Sequence, residues 1–231
     1  YLTEGDIRKI VMEATNYLNK PEHVLRDNFD IIASHMIDLS NTDKFYYIKA
    51  IVRKADNPRL RHSFSYFTYW KVKNADELMK LKPTIEQISA INNARIYINL
   101  NPRNEQEINQ NINNRFRFRK PTRKELEIAF CQDADYIHSN DNSEKDYPIT
   151  MLVCDTSEKK QQQHILDVLQ QNNRQVWFYY NSAKGIHIMM QSRDGKKIDY
   201  SQFDGGRHLG RRATGLFGPD HCCLLYCYVD T

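Results

Sequence analysis

Asp155 closes the apolar run Met151-Leu152-Val153-Cys154. A carboxylate at the carboxyl end of a strand, beside a helix start, stands where α/β sheets commonly place their ligands. The same position would cap a helix beginning near Ser157, and the two roles are compatible. Further on, Gly185-Ile186-His187-Ile188-Met189-Met190 reads as a strand. Alternation puts Ile186, Ile188 and Met190 on one face, and Gly185, His187, Met189 and Gln191 on the other. Neutral imidazole both donates and accepts, so His187 opposite the aliphatic face is equipped to hold a phosphate or move a proton. Gly185 leaves room for a ligand's backbone, and Lys184 adds a cation. The plainer alternative is a cross-strand histidine packed among aromatics.

Two basic features accompany this pair. In Ala94-Arg95-Ile96-Tyr97-Ile98-Asn99-Leu100-Asn101 the apolar residues alternate with Arg95, Tyr97, Asn99 and Asn101, and Arg103 follows. A row of Arg, Tyr and Asn suits phosphates and bases, and it also suits a solvated face. The run from Arg115 to Lys124 holds six cations in ten residues: Arg115, Arg117, Arg119, Lys120, Arg123 and Lys124. Read as a strand, its arginines share one face, opposite Phe116 and Phe118. Cations of this kind neutralise phosphates while aromatic rings stack on bases. A solvated basic edge that discourages aggregation is the competing reading. Arg211 and Arg212, in a glycine-containing loop from Asp204 to Pro219, form a second cluster that could close over an anion.

These residues need a scaffold. The chain has 231 residues with 40% apolar and 27% charged composition, enough for one domain with a sizeable core. The expected organisation is one domain over 1–231, with a helical segment over 1–40 and an α/β core over 44–231. Helical periodicity is expected at 3–19, 28–39, 75–92, 157–171 and over 105–130 with a break near Pro121. Strands are expected at 44–54, 63–72, 94–101, 149–155, 174–180, 185–191 and 223–229. The polar stretch 132–148 reads as a loop. Strand alternation lets Asp155, His187 and the Arg95–Arg103 row face one surface if their strands share a sheet.

The order of strand ending in Asp155, helix, strand and Gly-x-His hairpin resembles the first two motifs of archaeo-eukaryotic primases and primase-polymerases, over residues 150–199. The chain also resembles a family of phage proteins of similar length, through residues 94–103, the Gly-x-His strand and Leu224-Leu225-Tyr226. The resemblance implies an α/β (α+β) fold: a mixed, mostly antiparallel sheet flanked by helices, with a primase-like or RRM-like core. It also implies metal-dependent phosphoryl transfer with Mg²⁺ or Mn²⁺ held by Asp155. In that scheme Asp155, His187 and Asp199 are catalytic, and Lys184, Gly185, Arg95, Arg103, Arg211 and Arg212 contact the nucleotide. An Asp-x-Asp pair would need an acid at 153 or 157, where Val153 and Ser157 stand. That departure opens the alternative of a non-catalytic nucleic-acid or nucleotide binder.

The expected partner is therefore DNA, RNA or a nucleotide. The net charge of +4, from 33 basic and 29 acidic residues, permits this without requiring it. Five cysteines in a chain of this length do not suggest a disulfide scaffold, and His221-Cys222-Cys223 lacks a Cys-x-x-Cys zinc spacing. No apolar run approaches a membrane span, and the opening residues do not read as a signal peptide. The expected location is the cytoplasm of a bacterial or phage-infected cell, with no membrane partner.

Overall fold

The computed structural model of the chain describes residues 3–8, 23–136, 149–154, 158–171, 176–182, 185–191 and 222–230. Among them lie eight strands: β1 (His23–Asp27), β2 (Lys44–Val52), β3 (Phe64–Val72), β4 (Arg95–Asn104), β5 (Ile149–Cys154), β6 (Val176–Asn181), β7 (Ile186–Gln191) and β8 (Cys223–Asp230). Five labelled helices join them: α1 (Phe29–Ala33), α2 (Ala75–Asn92), α3 (Glu105–Arg115), α4 (Arg123–Tyr136) and α5 (Lys159–Gln171). The fold is mixed α+β. A five-stranded sheet in the order β1-β8-β4-β2-β3 and a three-stranded sheet in the order β5-β7-β6 are antiparallel throughout.

Local chemistry sets the helix ends. The Asn74 side chain accepts the Glu77 N–H at 2.9 Å to start α2, and Asn104 does the same for Glu107 at 3.1 Å to start α3. Before α4, Thr122 Oγ1 accepts from the Glu125 N–H at 3.2 Å, while the Glu125 carboxylate accepts from the Thr122 N–H at 2.8 Å. That reciprocal pair is a capping box. Helix α2 stops at Asn93, whose φ of 49° is left-handed.

Alternation in β2 splits the core. Tyr46, Ile48 and Ala50 join Ile96, Ile98 and Leu100 of β4 in the main cluster, with Phe29, Leu78 and Ile85 from the helices. Phe45 and Tyr47 pack instead with Ile108, Ile112, Ala129 and Phe130 of α3 and α4. Met151, Phe178, Tyr180 and Met189 of the smaller sheet also enter the main cluster. The smaller sheet's other face, with Leu152, Ile186, Ile188 and Met190, packs on Ile165, Val168 and Leu169 of α5.

The two sheets meet at a polar seam. Strand β1 ends at Asp27, opposite Tyr226 of β8. Leu224 therefore has no strand partner on that side, and side chains replace one. Its carbonyl accepts from Asn28 Nδ2 at 2.9 Å, and its N–H donates to the Tyr180 hydroxyl at 3.0 Å. Asn28 Nδ2 also reaches the Asn181 carbonyl at 3.1 Å, and Arg26 Nε reaches the Ser182 carbonyl at 2.7 Å. His35 stacks on Phe178 with ring centroids 4.2 Å apart.

Several expectations need correction. The helical segment over 1–40 contains the strand β1, which is short and reads as strand through its pairing with β8. The helix expected over 28–39 is reduced to Phe29–Ala33. Beyond it the Ile37 N–H donates to the Tyr46 hydroxyl at 3.0 Å and the Leu39 N–H to the Lys73 carbonyl at 2.8 Å, which draws the chain onto β2 and β3. Helix α4 runs to Tyr136, so 132–136 is helix rather than loop. Strand β4 belongs to one sheet and β5 and β7 to the other, so the condition for one shared surface is not met. The rest of 3–19 and of 132–148, and all of 204–219, lie outside the described residues.

Asn28→Ala removes the donor that two carbonyls share. Leaving buried carbonyls unsatisfied costs about 1–3 kcal/mol. The midpoint of urea unfolding should fall by a corresponding amount with the m-value unchanged.

Candidate nucleic-acid interface and histidine hairpin

The β6–β7 hairpin sets His187. The Ser182 N–H donates to the Gly185 carbonyl at 2.9 Å, and the Gly185 N–H donates to Ser182 Oγ at 3.0 Å. The turn therefore uses the Gly185 amide itself. This closure places His187 across from Tyr180 on β6 and from position 153 on β5. The Tyr180 hydroxyl lies 2.8 Å from His187 Nδ1 and 3.5 Å from Met151 Sδ. Its oxygen already accepts from Leu224, and its one proton goes to the nearer and stronger acceptor, the imidazole nitrogen. Burial holds the Tyr180 hydroxyl well above its ordinary titration range, so that proton stays in place. In the neutral ring Nδ1 is then the acceptor and Nε2 carries the hydrogen.

The face that carries His187 is not an open polar one. Met151, Phe178, Tyr180 and Met189 on it are all buried against the five-stranded sheet. His187 keeps partial exposure at the hairpin end of that face. Asp155, Lys184, Asp199, Arg211 and Arg212 lie outside the described residues. Among the described residues no group of three or more His, Cys, Asp or Glu is placed to hold a metal ion. The five cysteines are free thiols, and Cys223 and Cys227 are core residues.

The β4 row keeps its common face but faces inward. Arg95, Tyr97 and Asn99 sit opposite Ile51, Lys49 and Tyr47 of β2, and Arg103 sits opposite Phe45. Arg95 donates through Nε and Nη2 to both oxygens of Asp56 at 2.6 Å each, in a buried bidentate pair. Arg103 is fully buried and donates to the Ala134 carbonyl at 2.7 Å and the Asn101 carbonyl at 3.2 Å. Lys49 pairs with Asp135 at 2.6 Å, both side chains mostly buried. These cations bind the chain's own groups. Asn99 stands apart: it is 2% exposed, and neither its Oδ1 nor its Nδ2 has a partner among the described residues.

The basic run is the exposed feature, and it is not a strand. Arg115 ends α3, residues 116–119 form the turn, and α4 begins at Arg123. The helical spacing Ile108, Ile112, Phe116 prevails over the two-residue alternation that suggested a strand, because the first two bury against α4. Three of the six cations are tied down: Arg115 to Asp133, Arg119 to Glu125 and Arg123 to Glu127. The Arg119 hydrogen bond, helped by the Thr122 amide, holds the Glu125 carboxyl down to about 2, so this clamp persists through the physiological range. Arg117, Lys120 and Lys124 are exposed and make no ion pair among the described residues. Between them Phe118 is 92% exposed, with the Arg117 guanidinium 5.3 Å from its ring centre.

Comparisons with family models, with curated proteins and with solved structures return no match. No helix among the described residues is long and apolar enough to cross a membrane.

Sequence reasoning missed Tyr180 as the anchor of His187, although a short turn between Asn181 and Ile186 makes the two cross-strand neighbours. It placed Asn99 on the correct face without revealing that the face is covered. An unpartnered buried amide costs about 1–3 kcal/mol. Asn99→Leu, which keeps the branched shape, should therefore raise the unfolding free energy by up to about that much, which denaturant titration would read. A loss of stability would overturn this reading of Asn99.

Proposed function

We propose that the protein binds nucleic acid and grips its phosphate backbone through the α3–α4 turn. The observation that carries this reading is Phe118, almost wholly exposed among Arg117, Lys120 and Lys124, which make no ion pair among the described residues. Single exposed apolar side chains are ordinary on protein surfaces. Here the ring stands between cations that meet phosphates, which is the composition of a stacking platform. DNA, RNA or a nucleotide as ligand follows from this chemistry, in a binding protein that resembles the phage family through its β4 and β7 motifs.

The test is binding to a labelled oligonucleotide by fluorescence anisotropy across a salt series. Each neutralised phosphate contributes about 0.7 to the slope of log K against log salt for a single strand. Changing Arg117, Lys120 and Lys124 together to Gln should reduce the slope by about 2. Phe118→Ala should weaken binding roughly 5- to 150-fold, the range expected from losing ~1–3 kcal/mol of stacking, with the slope unchanged. Binding that neither change affects would remove the turn from the interface.

A second reading is metal-dependent nucleotidyl transfer, primase-like, at the β6–β7 hairpin. What favours it is the Tyr180 anchor, which presets the His187 ring for a phosphate. Asp155 and Asp199 would hold Mg²⁺ or Mn²⁺, and Lys184 would add charge beside the phosphates. His187→Gln should then lower incorporation of labelled nucleotide by about tenfold or more, a loss of ~1.4 kcal/mol or more. Absence of incorporation by the wild type with either metal would leave the binding reading alone.

A further inference from the structure

We infer that a shallow cavity beside the α3–α4 turn receives one unpaired base, so that the protein selects bases splayed from a strand over a closed duplex. This rests on the nucleic-acid reading of the same turn and adds a base-binding site to it. The cavity is about 290 Å³. Small-molecule pockets run from roughly 300 to 1,000 Å³, so this one suits a single planar ring system and nothing much larger. Phe116, Ile128 and Ala129 supply its apolar lining, and Arg115, Arg119, Gln132 and the Arg119-paired Glu125 its polar lining.

Those polar groups are held in place before any ligand arrives. Arg119 Nη1 and Nη2 donate to the two Glu125 oxygens at 3.0 and 2.6 Å, and the guanidinium lies 5.0 Å from the Phe116 ring centre. Arg115 donates to Gln132 Oε1 at 3.0 Å and to Asp133 Oδ1 at 2.6 Å. Gln132 thereby keeps its Nε2 amide as a donor for a base edge. Side chains already ordered lose less entropy on binding than free ones. Ile128 contributes apolar surface that is 38% exposed, which an inserted ring would cover. Planes of Arg and Phe together are the surfaces on which unpaired bases stack.

The turn therefore offers two apolar points, the Phe118 tip and the cavity, among cations suited to the connecting phosphates. A duplex presents phosphates to such a surface but keeps its base faces stacked inside. A single strand offers both.

The test compares three probes of equal length, about 12 nucleotides, by anisotropy at one salt concentration. They are a mixed-sequence single strand, the same strand with abasic residues, and a blunt duplex. The intact strand should bind at least about tenfold more tightly than the abasic strand, and the duplex should show no such gain. The double variant Ile128→Ser with Gln132→Ala, at exposed or half-buried helix positions, should pull the intact strand toward the abasic level and leave the salt slope unchanged. Circular dichroism verifies its folding, and Gln132→Ala alone serves if the pair does not fold. A double variant that keeps the wild-type preference for the intact over the abasic strand overturns the cavity inference while the nucleic-acid reading, with Phe118 as its stacking point, stands. Failure of all three probes to bind overturns both.

Discussion

A strand whose neighbour ends early leaves backbone groups that must find partners or unfold the edge. Leu224 is that position here, and its N–H and C=O are met by Tyr180 from one side and Asn28 from another. The smaller sheet is thereby fastened to the larger one by directional bonds as well as by the apolar cluster of Met151, Phe178 and Met189. The same Tyr180 hydroxyl then fixes His187. One phenol thus links the closure of an edge, the docking of two sheets and the tautomer of the histidine, and none of these is independent of the others.

The other face of the larger sheet, covered by α3 and α4, follows a different logic. Its cations are buried in pairs, Arg95 with Asp56 and Lys49 with Asp135. Buried pairs contribute little net stability because desolvation offsets attraction, yet losing one partner is costly. That makes Asp56 a structural requirement of Arg95 on β4, and Asp135 one of Lys49 on β2. The α3–α4 turn, by contrast, displays positive charge on the surface through Arg117, Lys120 and Lys124.

Much of this was legible in the sequence and some was not, for identifiable reasons. Strand β4, its alternation, the helix α2 and the β5–α5–β6–β7 order follow from periodicity alone. Whether Arg95 and Arg103 face water depends on Asp56 and Ala134, which lie 39 and 31 residues away, and periodicity is silent about such partners. The Arg-Phe alternation at 115–119 satisfied a strand pattern, while the four-residue spacing of Ile108, Ile112 and Phe116 satisfied a helix; packing against Phe130 and Ala129 decided it. Strand β1 escaped notice because five residues carry almost no periodic signal, and its identity comes from β8. The carboxylates Asp155 and Asp199 lie outside the described residues, so the chemistry of that end rests on His187 and its anchor.

The placement of β8 between β1 and β4 has a kinetic consequence. Asn28 and Leu224, which bond across the seam, are 196 residues apart in sequence. Closing so long a loop loses chain entropy before any contact compensates it, and proteins built on distant pairings fold slowly. During synthesis β4, β2 and β3 can pair as soon as they emerge, while the β4 edge waits for its partner. Until β8 arrives, that edge and the Tyr180 hydroxyl lack their final mates, and the nascent chain is exposed to mispairing.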